Sequence, residues 1–162
     1  MKTAQLLRRF TDIYFEWRVY GIPEMRFFEH KYGIPADEVG VCVMGTASQQ
    51  ELVEAITAAG CYVHPSYIDN SPNSLCEAQI LGAPVLATHV GGISSLVNHG
   101  ESGMLFPAND PYTLASLLKR VLGDRSLAES LGAGARREAM RRHNPESIKN
   151  RLVEIYKAIL KE

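Results

Sequence analysis

Residues 64–92 read HPSYIDNSPNSLCEAQILGAPVLATHVGG, and their order decides the fold. An apolar run ends at His64-Pro65, and a polar loop over 66–71 follows. The spacing then predicts a helix over 72–81, with Pro72 in its first turn and Gly82 just past its end. Proline costs nothing in a first turn, where its missing N–H would have no partner, and glycine suits the left-handed position that ends a helix. Residues 84–88, PVLAT, are apolar and too short for a helix, as expected of a strand covered on both faces. Gly91-Gly92 and a short helical turn follow. Strand, polar loop, helix and buried strand make the repeating unit of a parallel sheet.

The same alternation extends in both directions. Upstream, residues 14–20 place Phe15, Trp17 and Val19 between Glu16 and Arg18, the pattern of a half-exposed strand near a sheet edge. A helix over 23–32 stops at Gly33, and 39–44 is a near-continuous apolar strand. A helix over 49–59 closes at Gly60 before the strand at 61–64. Downstream, 103–106 is a last short strand. Asp110-Pro111 starts a helix with Leu114, Leu117, Leu118 and Val121 on one face, and Asp124 caps the next. Asn144-Pro145 opens the final helix, striped by Ile148, Leu152, Ile155 and Ile159. Five strands with no internal repeat or linker predict a single α/β domain over 1–162 with a mostly parallel sheet.

Composition narrows the function. At 162 residues, 46% hydrophobic and 22% charged, the chain is an ordinary globular domain, and its formal net charge of −1 calls for neither nucleic acid nor an anionic membrane as main partner. Arg136, Arg137, Arg141 and Arg142 are expected on a solvated helix face. Cys42, Cys61 and Cys76 have no C-x-x-C spacing, which favours free thiols over a disulfide or a metal site. No apolar stretch approaches the ~20 residues that span a bilayer. The start, MKTAQLLRRFTD, is too charged for a signal peptide, so a cytoplasmic location is expected.

In parallel sheets ligands bind beyond the carboxyl ends of the strands, here the loops after Tyr20, Met44, His64 and Thr88. The helix opening at Pro72 offers free N–H groups and a dipole that favour an anion, with Ser71, Asn73 and Ser74 around it. Asp69 lies just before that helix and Glu77 about one and a half turns inside it. Carboxylates accept paired hydrogen bonds from neighbouring hydroxyls, so phosphate plus vicinal hydroxyls describes a sugar nucleotide. Asp69, in a loop rich in Asn and Ser, also suits an Asx turn. Gly91-Gly92 fits either a plain turn or a close approach of backbone to ligand. His64 and His89 are expected to line the cleft, and Ser66 has no evident base partner for nucleophilic catalysis.

These residues resemble the family-4 retaining glycosyltransferases, the glycosyl transferases group 1. That family carries an acidic pair spaced E-x7-E after P-S, and Pro65-Ser66 is followed here by Asp69 and Glu77. Glu77-Ala78 through Gly82-Ala83-Pro84-Val85 matches E-A-x-x-x-G-x-P-V, and Gly91-Gly92 and Gly103-Met104-Leu105-Phe106 with Asp110 continue the likeness. The resemblance implies a Rossmann-like three-layer α/β/α domain, the C-terminal donor half of a two-domain GT-B enzyme of hexosyltransferase type. It implies retention of configuration, no metal and no cofactor beyond the substrate, a UDP- or GDP-sugar. Glu77 would bind the ribose hydroxyls, and Asp69 would contact the transferred sugar as the catalytic acidic residue. The backbone between Asn70 and Leu75, with Ser71, Asn73 and Ser74, would hold sugar and diphosphate; Gly45-Thr46 would lie near the base, and Gly91 and Gly92 would line the donor site.

Three departures accompany the likeness. Asp69 stands for a Glu, Ser95 falls where the family often has a Glu, and neither the family's opening strand nor its basic loop is found. An N-terminal acceptor-binding domain is therefore expected outside this chain, which alone should not transfer sugar. The full enzyme would be cytoplasmic, or peripheral at the inner membrane face. The alternatives are a sugar-nucleotide epimerase, disfavoured by the P-S…E-x7-E arrangement, and an inactive nucleotide-sugar-binding or scaffolding module.

Overall fold

Hydrophobic side chains of the strand over residues Val85–Thr88 alternate between two cores, and the rest of the molecule is arranged around them. Val85 and Ala87 enter one apolar cluster, while Leu86 enters another on the opposite face. In the computed structural model, which describes residues 1–160, the order is α1 (Lys2–Phe10), β1 (Trp17–Tyr20), α2 (Arg26–Tyr32), β2 (Val41–Gly45), α3 (Gln49–Ala58), β3 (Tyr62–His64), α4 (Asn73–Leu81), β4 (Val85–Thr88), β5 (Met104–Phe106), α5 (Pro111–Gly123), α6 (Arg125–Arg142) and α7 (Pro145–Ile159). Short 3-10 turns lie at Asp37–Val39 and Ile93–Ser95. This is the expected α/β architecture: all strand pairs are parallel, and helices cover both faces.

On one face, Leu75, Cys76 and Ala78 of α4 pack with Ile93 and Val97 against Val85 and Ala87. On the other, Leu114, Leu118 and Val121 of α5 and Leu7 of α1 pack with Leu86, Met104 and Phe106. A third cluster of Ala4, Ile34, Ala36, Val39 and Val41 lies beside β1 and β2. α6 packs closely on its neighbours because it is small at the crossings. A Cβ on Gly132 would lie 2.2 Å from the carbonyl oxygen of Gly82, and one on Gly134 would lie 1.9 Å from that of Glu101.

Several expectations are refined. The strands form two sheets, β1-β2 and β3-β4-β5, rather than one. β1 begins at Trp17, because the stretch before it is held by α1: Arg8 donates to the carbonyl of Phe15 at 3.0 Å and stacks over the Phe15 ring. α2 begins at Arg26, so Pro23 precedes it, and Pro72 is the N-cap of α4 rather than part of its first turn. The capping readings at Asp110, Asp124 and Asn144 hold, each side chain accepting from a backbone N–H two or three residues on. The three cysteines are free thiols.

Of the basic cluster near the end of α6, Arg136, Arg137 and Arg141 are exposed as expected, and Arg142 is the correction. Arg142 does not face solvent: it donates to Gln79 Oε1 at 3.2 Å and to the Leu96 carbonyl at 2.8 Å. Gln79 is fully buried and donates to the same carbonyl at 2.9 Å, while Arg136 donates to the Ile80 carbonyl. A buried amide needs partners for both of its ends, and the long arginine stem reaches it from the neighbouring helix. α7 is amphipathic as expected, yet Ile148, Leu152, Ile155 and Ile159 are exposed. No helix among the described residues is long and apolar enough to cross a membrane.

Candidate functional site

The loop between β3 and α4 is held from three sides. Thr88, at the end of β4, donates from Oγ1 to the Ser66 carbonyl at 2.6 Å, and Ser66 Oγ donates to the Ile68 carbonyl at 3.0 Å. Across the loop, the Gly92 N–H donates to the Asp69 carbonyl at 3.0 Å. His64 Nε2 lies 3.2 Å from Asp69 Oδ2, with the two side chains 14% and 28% exposed. An ionised carboxylate can only accept, so this pairing places a proton on Nε2. Asp69 is thereby fixed at the loop's end by a partner five residues back. Tyr67 reaches outward, its hydroxyl 3.3 Å from Asn109 Oδ1.

Gly91 and Gly92 owe their identity to this loop. A Cβ on Gly91 would lie 2.1 Å from the Asp69 carbonyl oxygen, and one on Gly92 would lie 2.0 Å from that of Asn70. Gly91 is also in the left-handed region at φ +50, where side chains are strained. Both glycines lie in a turn, one of the two readings open in the sequence, and the backbone that approaches them closely is the protein's own, at 69–70.

α4 starts without help. α3, α5, α6 and α7 each close their first turn with a side chain from Ser48, Asp110, Asp124 or Asn144, whereas the N-cap of α4 is Pro72 and makes no such bond. The first N–H groups of this helix thus keep their capacity for an outside acceptor. Ser71, Asn73 and Ser74 are exposed around that end, as is Asn70. Leu75 is fully buried, so only its backbone is available there. Glu77 is exposed on the same helix. It lies near the phenol of Tyr62, whose pKa burial raises, with a Ser74 hydrogen bond lowering it and the Glu77 charge raising it further. Ser74, Glu77 and Tyr62 therefore share one wall.

The structure brings together Asp69, Asn70, Ser71, Asn73, Ser74, Leu75, Glu77, Gly91 and Gly92. Gly45 and Thr46 are separate: Gly45 ends β2 in the other sheet, where it pairs with Tyr20, and Thr46 follows it. Gly45 has φ +70 with open space at its Cβ position, and Thr46 is exposed. Sequence reasoning gave His64 only a place in the cleft and missed Thr88. The alternating polarity of 61–70 hints at the His64–Asp69 pair, but a five-residue separation across a loop has no fixed geometry.

Cys61, immediately before β3, supplies a test of this packing. Burial against the Leu86 cluster pushes its thiol from 9.0 up to about 12, against a smaller opposing contribution from the Leu86 backbone. A raised pKa means that the folded state favours the neutral thiol. Its contribution to stability is complete below pH 9 and is lost as pH rises from 9 toward 12. At pH 8 Cys61 is expected to resist iodoacetamide in the folded chain and to react in urea, as read by peptide mass analysis. Rapid native-state alkylation of Cys61 would contradict the packing.

The D-inositol 3-phosphate glycosyltransferase of Jonesia denitrificans is 41% identical over 93 residues, which span 57% of this chain and 22% of that protein. The fold matches the sucrose-phosphate synthase of Thermosynechococcus elongatus with a TM-score of 0.77 at 24% identity, covering 99% of this chain and 42% of that one. HepE from Anabaena, solved in complex with UDP and glucose, matches with a TM-score of 0.79 at 18% identity, covering 97% and 44%. The chain thus spans less than half the length of each of these three proteins, and the fold it shares with these structures is that of GT-B glycosyltransferases. The glycosyl transferases group 1 family matches residues 30–138, more than half of the chain and every candidate site residue, and the chain belongs to that family.

Proposed function

We propose that this chain is the C-terminal, donor-binding half of a retaining, family-4 glycosyltransferase of hexosyltransferase type, which transfers a sugar from a nucleoside-diphosphate donor. The observation that carries the reading is the uncapped start of α4 beside a fixed Asp69, with Glu77 exposed farther along the same helix. The diphosphate is held by the N–H groups at 73–75 and the hydroxyls of Ser71 and Ser74. The sugar lies toward Asp69 and Asn70, and the ribose toward Glu77. Gly91 and Gly92 support the sugar side by seating the 69–70 backbone. Gly45 and Thr46 approach the base.

The donor is a UDP- or GDP-sugar, and UDP is favoured by the complex of HepE with UDP and glucose. No metal and no cofactor are required beyond that substrate. The acceptor is bound by a separate N-terminal domain, and the enzyme works in the cytoplasm or at the inner membrane face. Its acceptor is a small polyol phosphate, if the activity named for the Jonesia denitrificans relative carries over. The chain alone is inactive and holds donor weakly, near millimolar, because each charge-assisted phosphate contact is worth about 1.5–3 kcal/mol and it has no basic loop at the site.

A thermal-shift screen against UDP, GDP, ADP and their sugars tests this. At tenfold excess over Kd, one ligand stabilises by about 1.4 kcal/mol, or about 3–6 °C for a chain of this size. A shift with UDP or GDP and their sugars, and none with glucose alone, is expected. Equal shifts with every anion, inorganic phosphate included, would overturn the reading.

A further inference from the structure

Of residues 65–71, only Ser66 and Asp69 are not exposed. Ser66 is accounted for by the Thr88 hydroxyl, which holds its carbonyl at 2.6 Å. Asp69 turns its side chain back to β3, although an aspartate among Asn and Ser ordinarily accepts from a nearby backbone N–H. No such bond reaches its carboxylate among the described residues, where its partner is the His64 ring. His64 is itself anchored. It lies in register with Ala87 in the β3–β4 ladder, and its carbonyl stands 3.4 Å from Thr88 Oγ1. Pro65 follows it, and a residue before proline is kept extended. The Asp69 backbone is equally constrained, since its carbonyl takes the Gly92 N–H at 3.0 Å and closes on Gly91. What remains free is rotation of the Asp69 side chain, and the imidazole sets it.

We infer, resting on the donor reading above, that His64 is a positioning residue for sugar transfer. Its Nε2–H holds Asp69 Oδ2 and so presents Oδ1 to the transferred sugar. The bond, at 3.2 Å, occupies one oxygen, and Oδ1 makes no hydrogen bond among the described residues. The Asp69 side chain keeps 28% of its surface open, so that oxygen can accept from a sugar hydroxyl. Aspartate is one methylene shorter than glutamate, and its reach depends on where its carboxylate is aimed. Aim matters more for transfer than for binding. In the donor reading the nucleoside diphosphate is held at the start of α4, away from this pair. A displacement of about 1 Å at the reacting sugar, by contrast, costs up to about a hundredfold in rate. His64 therefore acts on the reaction through the Asp69 carboxylate alone.

Two substitutions vary reach at constant chemistry in the reconstituted two-domain enzyme. Glutamine sets its amide nitrogen where Nε2 stands, whereas asparagine sets it where Nδ1 stands, too short for Asp69. UDP-glucose, UDP-N-acetylglucosamine and GDP-mannose serve as donors, with release of nucleoside diphosphate as the rate and calorimetry with UDP and GDP as the binding measurement. His64→Asn is expected to lower kcat about tenfold to a hundredfold, while the conservative His64→Gln retains about a third of it or more. Both should bind nucleoside diphosphate within about twofold of the parent and melt within about 3 °C of it. In an Asp69→Asn background the two should no longer differ, because a residue acting only through Asp69 has nothing left to aim. Equal kcat for the two variants of an active enzyme would overturn the inference, as would a difference that survives Asp69→Asn. If neither variant folds, the ring nitrogen shifts of the parent decide: a proton on Nε2 is expected, and a proton on Nδ1 alone overturns the assignment. A parent that neither binds UDP or GDP nor releases them from any donor sinks the donor reading, and this inference with it.

Discussion

Replacing Gly92 by valine is expected to destabilise the chain by about 3 kcal/mol, lowering its melting temperature by about 6–12 °C. A Cβ at Gly92 would stand 2.0 Å from the Asn70 carbonyl oxygen and 2.9 Å from its carbon. Neither atom is the movable end of a side chain, so the 69–70 backbone itself must retreat. That retreat breaks the Gly92 N–H bond to Asp69 and pulls Asp69 from His64. The signature is therefore double: lost stability in urea and thermal unfolding, and altered His64 and Asp69 resonances in what remains folded. Gly100→Ala makes the comparison, because a Cβ there meets nothing within 4 Å and only its left-handed backbone is strained. A Gly92→Val chain within 0.5 kcal/mol of the parent would mean that the loop is not seated as described.

The second large effect separates the two carboxylates in the reconstituted two-domain enzyme. Glu77→Gln is expected to weaken binding of the bare nucleoside diphosphate about tenfold to a hundredfold, the loss for hydrogen bonds to a charged group. Its backbone is fixed on α4 and its side chain is exposed beyond the phosphate end. Asp69→Asn is expected to leave that binding within about twofold and to lower transfer from the full donor at least a hundredfold, a loss of about 2.7 kcal/mol or more. Asp69 lies before the helix and engages His64, and in the proposed donor orientation it stands on the sugar side of the phosphate site. Calorimetry with nucleoside diphosphate beside turnover assays distinguishes them. If Asp69→Asn loses the bare nucleotide instead, the cleft runs the other way.

Local signals carried most of the fold and the site's frame. The apolar run at Val85–Thr88, the Pro72 and Gly82 boundaries of α4, and the caps at Asp110, Asp124 and Asn144 each rest on chemistry within four residues. Features made by distant contacts were not legible. The split of the sheet depends on which edges meet, and alternation within a strand is silent on that. Arg142 reads as a surface charge until the buried Gln79, 63 residues away, is found beneath it. The two glycines after β4 looked equally suited to a turn or a ligand, because their real constraint is a carbonyl on another loop. Asp69 and Glu77 were visible by spacing, whereas the imidazole that fixes Asp69 needed the loop's path.

The most direct test of the donor-binding account is an NMR titration of the isotopically labelled chain with UDP-glucose, and separately with UDP. Both ligands are expected to shift the amides of Asn73, Ser74, Leu75 and Glu77 with a Kd near millimolar. Only UDP-glucose should also move Asp69 and the His64 ring. Shifts confined to other surfaces, such as α7, or no change at α4 at about ten times that concentration, would contradict it.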